Sequence, residues 1–488
     1  MKKDIGEINL LDKSIEVLEK VSEEINNENY EQAISLYNSL LQSFEKLKDR
    51  NKVAEEQKTL MQKKIEKLEE SHRKVISFFE NSLYEDIITL INEDIINRYK
   101  DLKFYINNRE IHEILGINIY GKYFKKFVKA GLMHNVNRNK VKEIQDYWQK
   151  HYNKKIDPSI HLAFEKITGK IEPRVIPQNI VNTGIVPLLN DKSKQKFYDD
   201  KNAYDLLFED KATPENVLKR VNRQYFTGKA ETISRTEAYK KLNQIKEDII
   251  VKNSLADDGK GLEKLYFKKN AFFLNDRKMN LQDIEKQWGS NFIIQKCVKQ
   301  HQLMATPHPN SLNTFRLVTL RWGNEIQYLT GFARFGANDA IKDNAGDGGV
   351  CVGVSEEGKF NSFAVDKEAN LHEVHPSTGF KFSELEDIPN FNEFIDFVKE
   401  LHKKVIHHRF ISWDIAMGPE GSPIFVEMNF WGAIWLYQLA TQRPILGEFT
   451  EEILEKSAME QKKEENIKKE KESSENNSAK VSEEQSIS

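Results

Sequence analysis

Along the first ninety-odd residues, apolar positions recur at spacings of three and four. Ile8, Leu11, Ile15 and Leu18 fall on one helical face, with Glu and Lys between them. The polar stretch 26–29 interrupts the pattern. Tyr30, Ala33, Ile34, Tyr37, Leu40 and Leu41 restart it, which predicts an αα-hairpin. Residues 29–37 look like one helix of a tetratricopeptide unit, although no second copy follows at the expected period. Over 44–75 only Val53, Leu60, Ile65 and Leu68 punctuate a run rich in Lys, Glu and Gln, which suits a long exposed helix or a short coiled coil. The aromatic-rich stretch 96–175 predicts a mostly helical globular segment, with helices over 120–131 and 141–151.

From 176 to 450 the texture changes: glycines concentrate, charge runs thin out and short apolar runs appear between turn residues. Strands are expected over 248–252, 262–267, 292–298, 314–320, 326–335, 411–417 and 423–429, with helices over 203–208, 235–244 and 391–407. Hairpins interspersed with helices define an α+β body. The organisation expected is therefore a helical arm (1–95), a mostly helical first part of the body (96–175), an α+β catalytic domain (176–450) and a disordered charged tail (456–488). The tail is Lys/Glu/Ser/Asn-rich and carries too little apolar surface to offset the entropy of ordering.

Composition narrows the function classes. The chain has 488 residues, 31% of them charged and 39% hydrophobic, with a formal net charge of -3. That balance argues against a protein that coats nucleic acid. Basic residues do cluster at Lys122, Lys125, Lys126, Lys129, Arg138 and Lys140, which reads first as a solvated helix face. Two cysteines, Cys297 and Cys351, are too few for a disulfide framework or a Cys-based zinc site. No apolar run is long enough to span a bilayer, and a cytoplasmic setting is expected.

Three features carry chemistry. The first is a hairpin, with strands 411–417 and 423–429 joined by the turn sequence Gly-Pro-Glu-Gly-Ser. If residue 418 pairs with 423, Asp414 faces Glu427 and Asn429 shares their side of the sheet. Like charges directly opposite are unfavourable, so a cation between them is expected. An all-oxygen set of this kind suits Mg²⁺ shared with phosphates. The second is a strand ending in Lys252, followed by a polar loop centred on Gly259-Lys260-Gly261. Glycines there would let backbone N–H groups approach phosphate oxygens, although such a loop is also ordinary hairpin chemistry. The third is a pair of arginines, Arg316 and Arg334, inside strands of apolar alternation. Buried arginines call for an anion: a phosphoryl group or developing oxyanion, or a neighbouring carboxylate.

Taken in order, these features resemble the ATP-grasp superfamily, and most closely its sugar-transfer-associated branch. The matching stretches are Asp200-Lys201-Asn202, Gln300-His301, Ser311-x-Asn313-Thr314-x-Arg316, Arg334-x-Gly336, Asp343-Asn344 with Gly348-Gly349, His375-Pro376, Trp413-Asp414 and Glu427-x-Asn429, within about residues 140–445. The resemblance implies two α+β subdomains gripping a nucleotide, with ATP and Mg²⁺ as cofactors. It implies that Lys201 and Lys252 are nucleotide-binding lysines, that Gly259, Lys260 and Gly261 close over the phosphates, and that Lys296 and Val298 offer backbone groups to adenine. It further implies that Asp414, Glu427 and Asn429 ligate the metal, and that Arg316 and Arg334 steady charge developing in transfer. Family members commonly carry an acidic residue in the adenine linker, where this chain has Gln-Lys-Cys-Val.

Similar enzymes activate a carboxylate as an acylphosphate, which an amine or other nucleophile then attacks. The leading expectation is a carboxylate–amine ligase with a small-molecule carboxylate and an amine or sugar acceptor, acting in cell-surface polysaccharide synthesis. Two alternatives are a kinase acting on a sugar or lipid hydroxyl, and a non-catalytic nucleotide-binding scaffold. The N-terminal helices would recruit a glycan-assembly partner or mediate self-association.

Overall fold

The computed structural model describes residues 115–118, 121–133, 138–208, 212–255, 261–344, 346 and 348–467, together with Val17, Lys20 and Leu36. The hairpin and coiled coil expected before residue 96 lie almost wholly outside these residues. The chain divides into two compact units, residues 1–134 and 135–488. In the first, the helix Lys122–Lys129 buries Phe124 and Phe127 and ends in a turn at Gly131, whose φ of 71° suits glycine.

The second unit contains two antiparallel sheets. The first sheet runs β1 (Asn216–Val221), β2 (Gln224–Thr227), β3 (Thr232–Ile233), β4 (Ile249–Asn253), β5 (Leu262–Lys268), β6 (Ala271–Leu274), β7 (Arg277–Met279) and β8 (Phe292–Lys296). Its spatial order is β3-β2-β1-β8-β4-β5-β6-β7. One face carries Leu218, Ile249, Val251, Phe292 and Ile294. These pack on two helices, Arg235–Gln244 through Ala238 and Leu242, and Leu281–Trp288 through Leu281, Ile284 and Trp288. Both helices begin with reciprocal caps, Ser234 with Glu237 and Asn280 with Asp283, which satisfy backbone N–H groups that have no partner within the helix.

The second sheet runs β9 (Thr314–Trp322), β10 (Glu325–Phe335), β11 (Val350–Val354), β12 (Phe360–Asp366), β13 (Leu371–His372), β14 (Phe410–Met417) and β15 (Pro423–Asn429), in the order β13-β12-β11-β10-β9-β14-β15. The helix Phe391–Lys404 covers one face. Its apolar residues Phe391, Phe394, Val398 and Leu401 fall three or four apart and join Phe315, Leu317, Trp413, Ile415 and Phe425 in the larger core. On the other face the helix Ile434–Thr441, buried along its whole length, sets Tyr437 against Phe332 with ring centroids 4.8 Å apart.

Three boundaries differ from the sequence reading. The hairpin closes one residue wider, as Met417↔Pro423 rather than 418 with 423. A bulge between Asp414 and Ile415 then shifts the register, so that Asp414 does face Glu427. The expected start of a disordered tail at 456 falls inside a helix over 450–467. Ile453, Leu454 and Ser457 of this helix are buried, and Gln461 Nε2 donates to the Tyr152 hydroxyl at 2.8 Å. The adenine-linker strand stops at Lys296, so Cys297 and Val298 follow it as irregular chain.

Candidate active site

Strand alternation decides which side chains meet. In β4 the odd positions Ile249 and Val251 enter the first core, so Ile250 and Lys252 take the opposite face. In β9 Phe315 and Leu317 enter the second core, so Arg316 takes the face toward Tyr437. These two faces, with intervening loops, line a cavity of about 530 Å³. Ile250, Lys252, Leu262, Gln295, Lys296, Cys297 and Val298 form one wall. Arg316, Arg334, Asp343, Asp414, Glu427, Asn429 and Tyr437 form the other. A volume of this size accommodates a nucleotide.

On the second wall the charges are arranged in pairs. Arg316 grips Asp414 with a bidentate fork, Nε to Oδ1 at 2.7 Å and Nη2 to Oδ2 at 2.6 Å, and its Nη1 reaches the Tyr437 hydroxyl at 3.1 Å. Arg334 bridges Asp414 at 3.1 Å and Asp343 at 3.3 Å. Asp343 in turn accepts from the Thr314 backbone N–H at 2.9 Å and from the Thr314 hydroxyl. Burial pushes the Asp414 carboxyl up, but Arg316 and Arg334 outweigh it and hold the group below its usual range. At Asp343 burial prevails and the carboxyl is raised.

Glu427 accepts from Lys201 Nζ at 2.7 Å. Asp414 and Glu427 therefore sit opposite one another without mutual repulsion, because Arg316, Arg334 and Lys201 neutralise them. The positive charge expected beside this pair comes, among the described residues, from these three basic side chains. Asn429 Nδ2 donates to Asp414 Oδ2 at 3.2 Å, and Glu427 faces Asp414 across the hairpin. Among the described residues no group of three or more His, Cys, Asp or Glu side chains is placed to hold a metal. The two carboxylates and one amide oxygen still fit a hard divalent cation whose remaining ligands come from phosphate or water.

The first wall is less balanced. Lys252 is buried, and burial, reinforced by the nearby charge of Lys201, pulls its ammonium down to about 8 against the opposing pull of Glu427. Lys201 lies behind the cavity wall, its backbone N–H donating to Ser254 O at 2.9 Å. Gly259 and Lys260 fall outside the described residues. Gly261 is described, at φ 67°, and its carbonyl accepts from Trp288 Nε1 at 2.6 Å, which ties the loop's end to the first core. Lys296 turns its side chain to Glu215 at 2.9 Å and Glu247 at 3.3 Å, while Val298 lines the cavity.

Both cysteines line the cavity as well. Burial pushes the Cys297 thiol up to about 11 and the Cys351 thiol up to about 12, so neither is a thiolate nucleophile near neutrality. Sequence reasoning missed Tyr437 and the position of Asp343 as a partner of Arg334. Tyr437 lies in an unbroken apolar run, Ile434–Thr441, where no periodicity marks the face that meets the site.

A nucleotide-sized cavity between two antiparallel sheets, lysine on one wall and an Asp/Glu/Asn cluster on the other, is the arrangement of an ATP-grasp protein. The profile of the sugar-transfer-associated ATP-grasp family matches residues 181–453, more than half of the chain, and the chain belongs to that family. A domain of unknown function matches residues 7–104. Comparison with curated protein sequences gave no match. Among solved structures, the ATP-grasp ligase PsnB complexed with its precursor peptide PsnA2 and AMPPNP is 12% identical with a TM-score of 0.31. That alignment covers 55% of this chain and 62% of PsnB, so the chain spans less than two thirds of that protein. D-alanine–D-alanine ligase from Bacillus anthracis is 13% identical with a TM-score of 0.32, covering 60% of this chain and 78% of the ligase. VanG D-Ala:D-Ser ligase from Enterococcus faecalis is 11% identical with a TM-score of 0.32, covering 54% and 62%. No helix among the described residues is long and apolar enough to cross a membrane.

Proposed function

We propose that the protein is an ATP- and Mg²⁺-dependent ligase that joins a carboxylate to an amine or a related nucleophile, with a sugar acid or sugar amine among its substrates. The observation that carries this reading is the shared cavity. Lys252 stands on one wall and Asp414, Glu427 and Asn429 on the other, so that an ammonium and a set of oxygen donors line one nucleotide-sized space, which supports phosphate and metal binding there.

In this reading Ile250, Leu262, Cys297 and Val298 form the apolar bed for the base, and the backbone of Lys296 and Val298 faces its edge. Lys252, Lys201 and the segment Gly259-Lys260-Gly261 hold the phosphates. Asp414, Glu427 and Asn429 would hold Mg²⁺, which would supply neutralisation of phosphate charge. A substrate carboxylate oxygen attacks the γ-phosphorus, ADP departs, and an acylphosphate results. The amine then attacks the acyl carbon, its proton is lost to solvent or substrate, and phosphate leaves as the amide forms. Arg316 and Arg334 present fixed N–H donors to the charge that develops on the transferring phosphoryl group and on the tetrahedral carbon. Their carboxylate partners hold both side chains in place before substrate arrives.

The reaction is set in cell-surface polysaccharide synthesis and in the cytoplasm, and residues 1–95 are the element for self-association or for docking a glycan-assembly partner. An isotope experiment tests the chemistry. With a substrate carboxylate labelled by ¹⁸O, one labelled oxygen should appear in the released phosphate, because it bridges carbon and phosphorus in the acylphosphate. A phosphorylated acceptor with no free phosphate would instead make the protein a kinase.

A further inference from the structure

Tyr437 has no part in the chemistry described so far, yet it lines the cavity together with Arg316, Arg334, Phe332 and Gly432. It is 2% exposed and belongs to the helix Ile434–Thr441. Its neighbours fix the ring. Phe332 packs against it with centroids 4.8 Å apart, and Arg316 Nη1 donates to the hydroxyl at 3.1 Å. A Cβ added at Gly432 would stand 2.3 Å from the hydroxyl oxygen, so glycine at 432 leaves the room that the hydroxyl occupies.

Proton counting gives this hydroxyl a direction. A phenol accepts through its oxygen and has one O–H to donate, whereas a guanidinium only donates. The bond from Arg316 therefore uses the oxygen and leaves the hydrogen over. It is the one hydrogen bond of the Tyr437 hydroxyl among the described residues, so among them the hydrogen has no acceptor. A buried donor left unmade is costly, and such atoms are few in folded proteins. The two groups nearest the oxygen, Arg316 and Gly432, both border the cavity, and the hydrogen is directed into that space.

The surroundings indicate which acceptor suits it. Accepting from a guanidinium polarises the O–H and makes it a stronger donor. Arg316 and Arg334 both reach Asp414, so the hydroxyl stands beside the arginine-lined part of the cavity, on the wall opposite Ile250, Leu262 and Val298. A strengthened donor next to two cationic groups favours an anionic oxygen over a neutral one.

Resting on the ligase reading above, we propose that Tyr437 donates its hydroxyl hydrogen to an oxygen of the transferring γ-phosphoryl group. It adds a neutral donor to the two guanidinium groups, keeps its proton throughout, and favours the nucleoside triphosphate over the diphosphate.

The test uses the full chain with Mg²⁺, and ADP and AMPPNP as probes, read by titration calorimetry and by thermal shift. AMPPNP carries a γ-phosphoryl group and ADP does not. Tyr437→Phe keeps the ring and its contact with Phe332, and leaves Arg316 its fork on Asp414. AMPPNP affinity should fall by about 10- to 100-fold in Tyr437→Phe, the range for a lost hydrogen bond to a charged group. ADP affinity and the ligand-free melting temperature should stay close to the wild-type values. A tyrosine fluorinated beside its hydroxyl, incorporated at position 437, separates a donor to phosphate from a mere strut for Arg316, because fluorine makes the hydroxyl a stronger donor and a weaker acceptor. AMPPNP should bind this protein more tightly than it binds the wild type, and the same variant carries the test should Tyr437→Phe fail to fold. Unchanged AMPPNP affinity in folded Tyr437→Phe, an equal loss for ADP and AMPPNP, or AMPPNP binding to the fluorinated protein that is no tighter than wild type would overturn the inference and leave the ligase reading standing. Absence of binding of either nucleotide to the wild-type protein would overturn that reading itself.

Discussion

The two walls of the cavity solve the problem of buried charge in opposite ways. On the second sheet Arg316 and Arg334 meet Asp414 and Asp343, two cations with two carboxylates, joined by bonds of 2.6 to 3.3 Å. On the first wall Lys252 is buried with no ion pair among the described residues, and Glu427, which accepts from Lys201, acts on it only at a distance. The first arrangement is complete without a ligand and the second is not. Geometry for the chemistry is thus stored in the balanced wall, and attraction for an anion in the unbalanced one. A protein that must hold a triphosphate and position a reaction gains from keeping the two tasks on separate sheets, each with its own core.

The largest expected effect comes from unbalancing the balanced wall. Asp414→Ala strips two buried arginines of a shared carboxylate and should cost about 3–5 kcal/mol of stability, read by denaturant unfolding. The same change to the other wall should act in reverse. Lys252→Met removes a desolvated ammonium at similar volume, so stability should hold or rise while MgATP affinity falls by about tenfold or more, read by calorimetry. Equal destabilisation by both variants would erase the contrast.

A pH titration sharpens it further. Bound phosphate favours the charged form of Lys252, so its pKa in the complex lies above the value of about 8 in the free protein. Nucleotide affinity should therefore be full below pH 8 and decline as pH rises above it. The unliganded protein should gain stability from pH 8 toward the ordinary lysine range of about 10.4, because the unfolded chain binds more protons there. Affinity and stability moving in opposite directions over one interval is the signature of an unbalanced lysine. The smallest effect is local. Ser234→Ala removes one half of the reciprocal cap under the first sheet and should cost about 1 kcal/mol, without altering the second core.

Much of this arrangement could be read from the chain, for reasons that differ by element. The β14–β15 hairpin was legible because an apolar run, a Gly-Pro-Glu-Gly-Ser turn and a second apolar run leave little choice of topology. Asp414 opposite Glu427 followed from that turn, but only because a bulge compensates a closure one residue wider than the turn residues suggested. Strands β1 to β3, β6 and β7 were missed. They are two to six residues long and half exposed, so alternation has too few positions to show. The run Val350–Val354 was missed for the opposite reason, being buried at every position with no polar face to mark it.

Ion-pair partners were the least accessible feature. Lys201, in a helical turn that precedes the first sheet, and Glu427, on β15, meet across more than two hundred residues. The sequence reading supplied a metal to separate Asp414 from Glu427, where the fold supplies three basic side chains from elsewhere. The metal reading stands on the donor set and on family membership, rather than on electrostatic need.

Nucleotide titration with and without Mg²⁺, on the wild-type protein and on Glu427→Gln, tests the central claim most directly. Mg²⁺ should tighten ADP binding to the wild type by about tenfold or more, and that gain should disappear in Glu427→Gln while metal-free binding persists. An equal gain from Mg²⁺ in both proteins would show that the Asp414/Glu427/Asn429 cluster does not hold the metal, and would contradict the account.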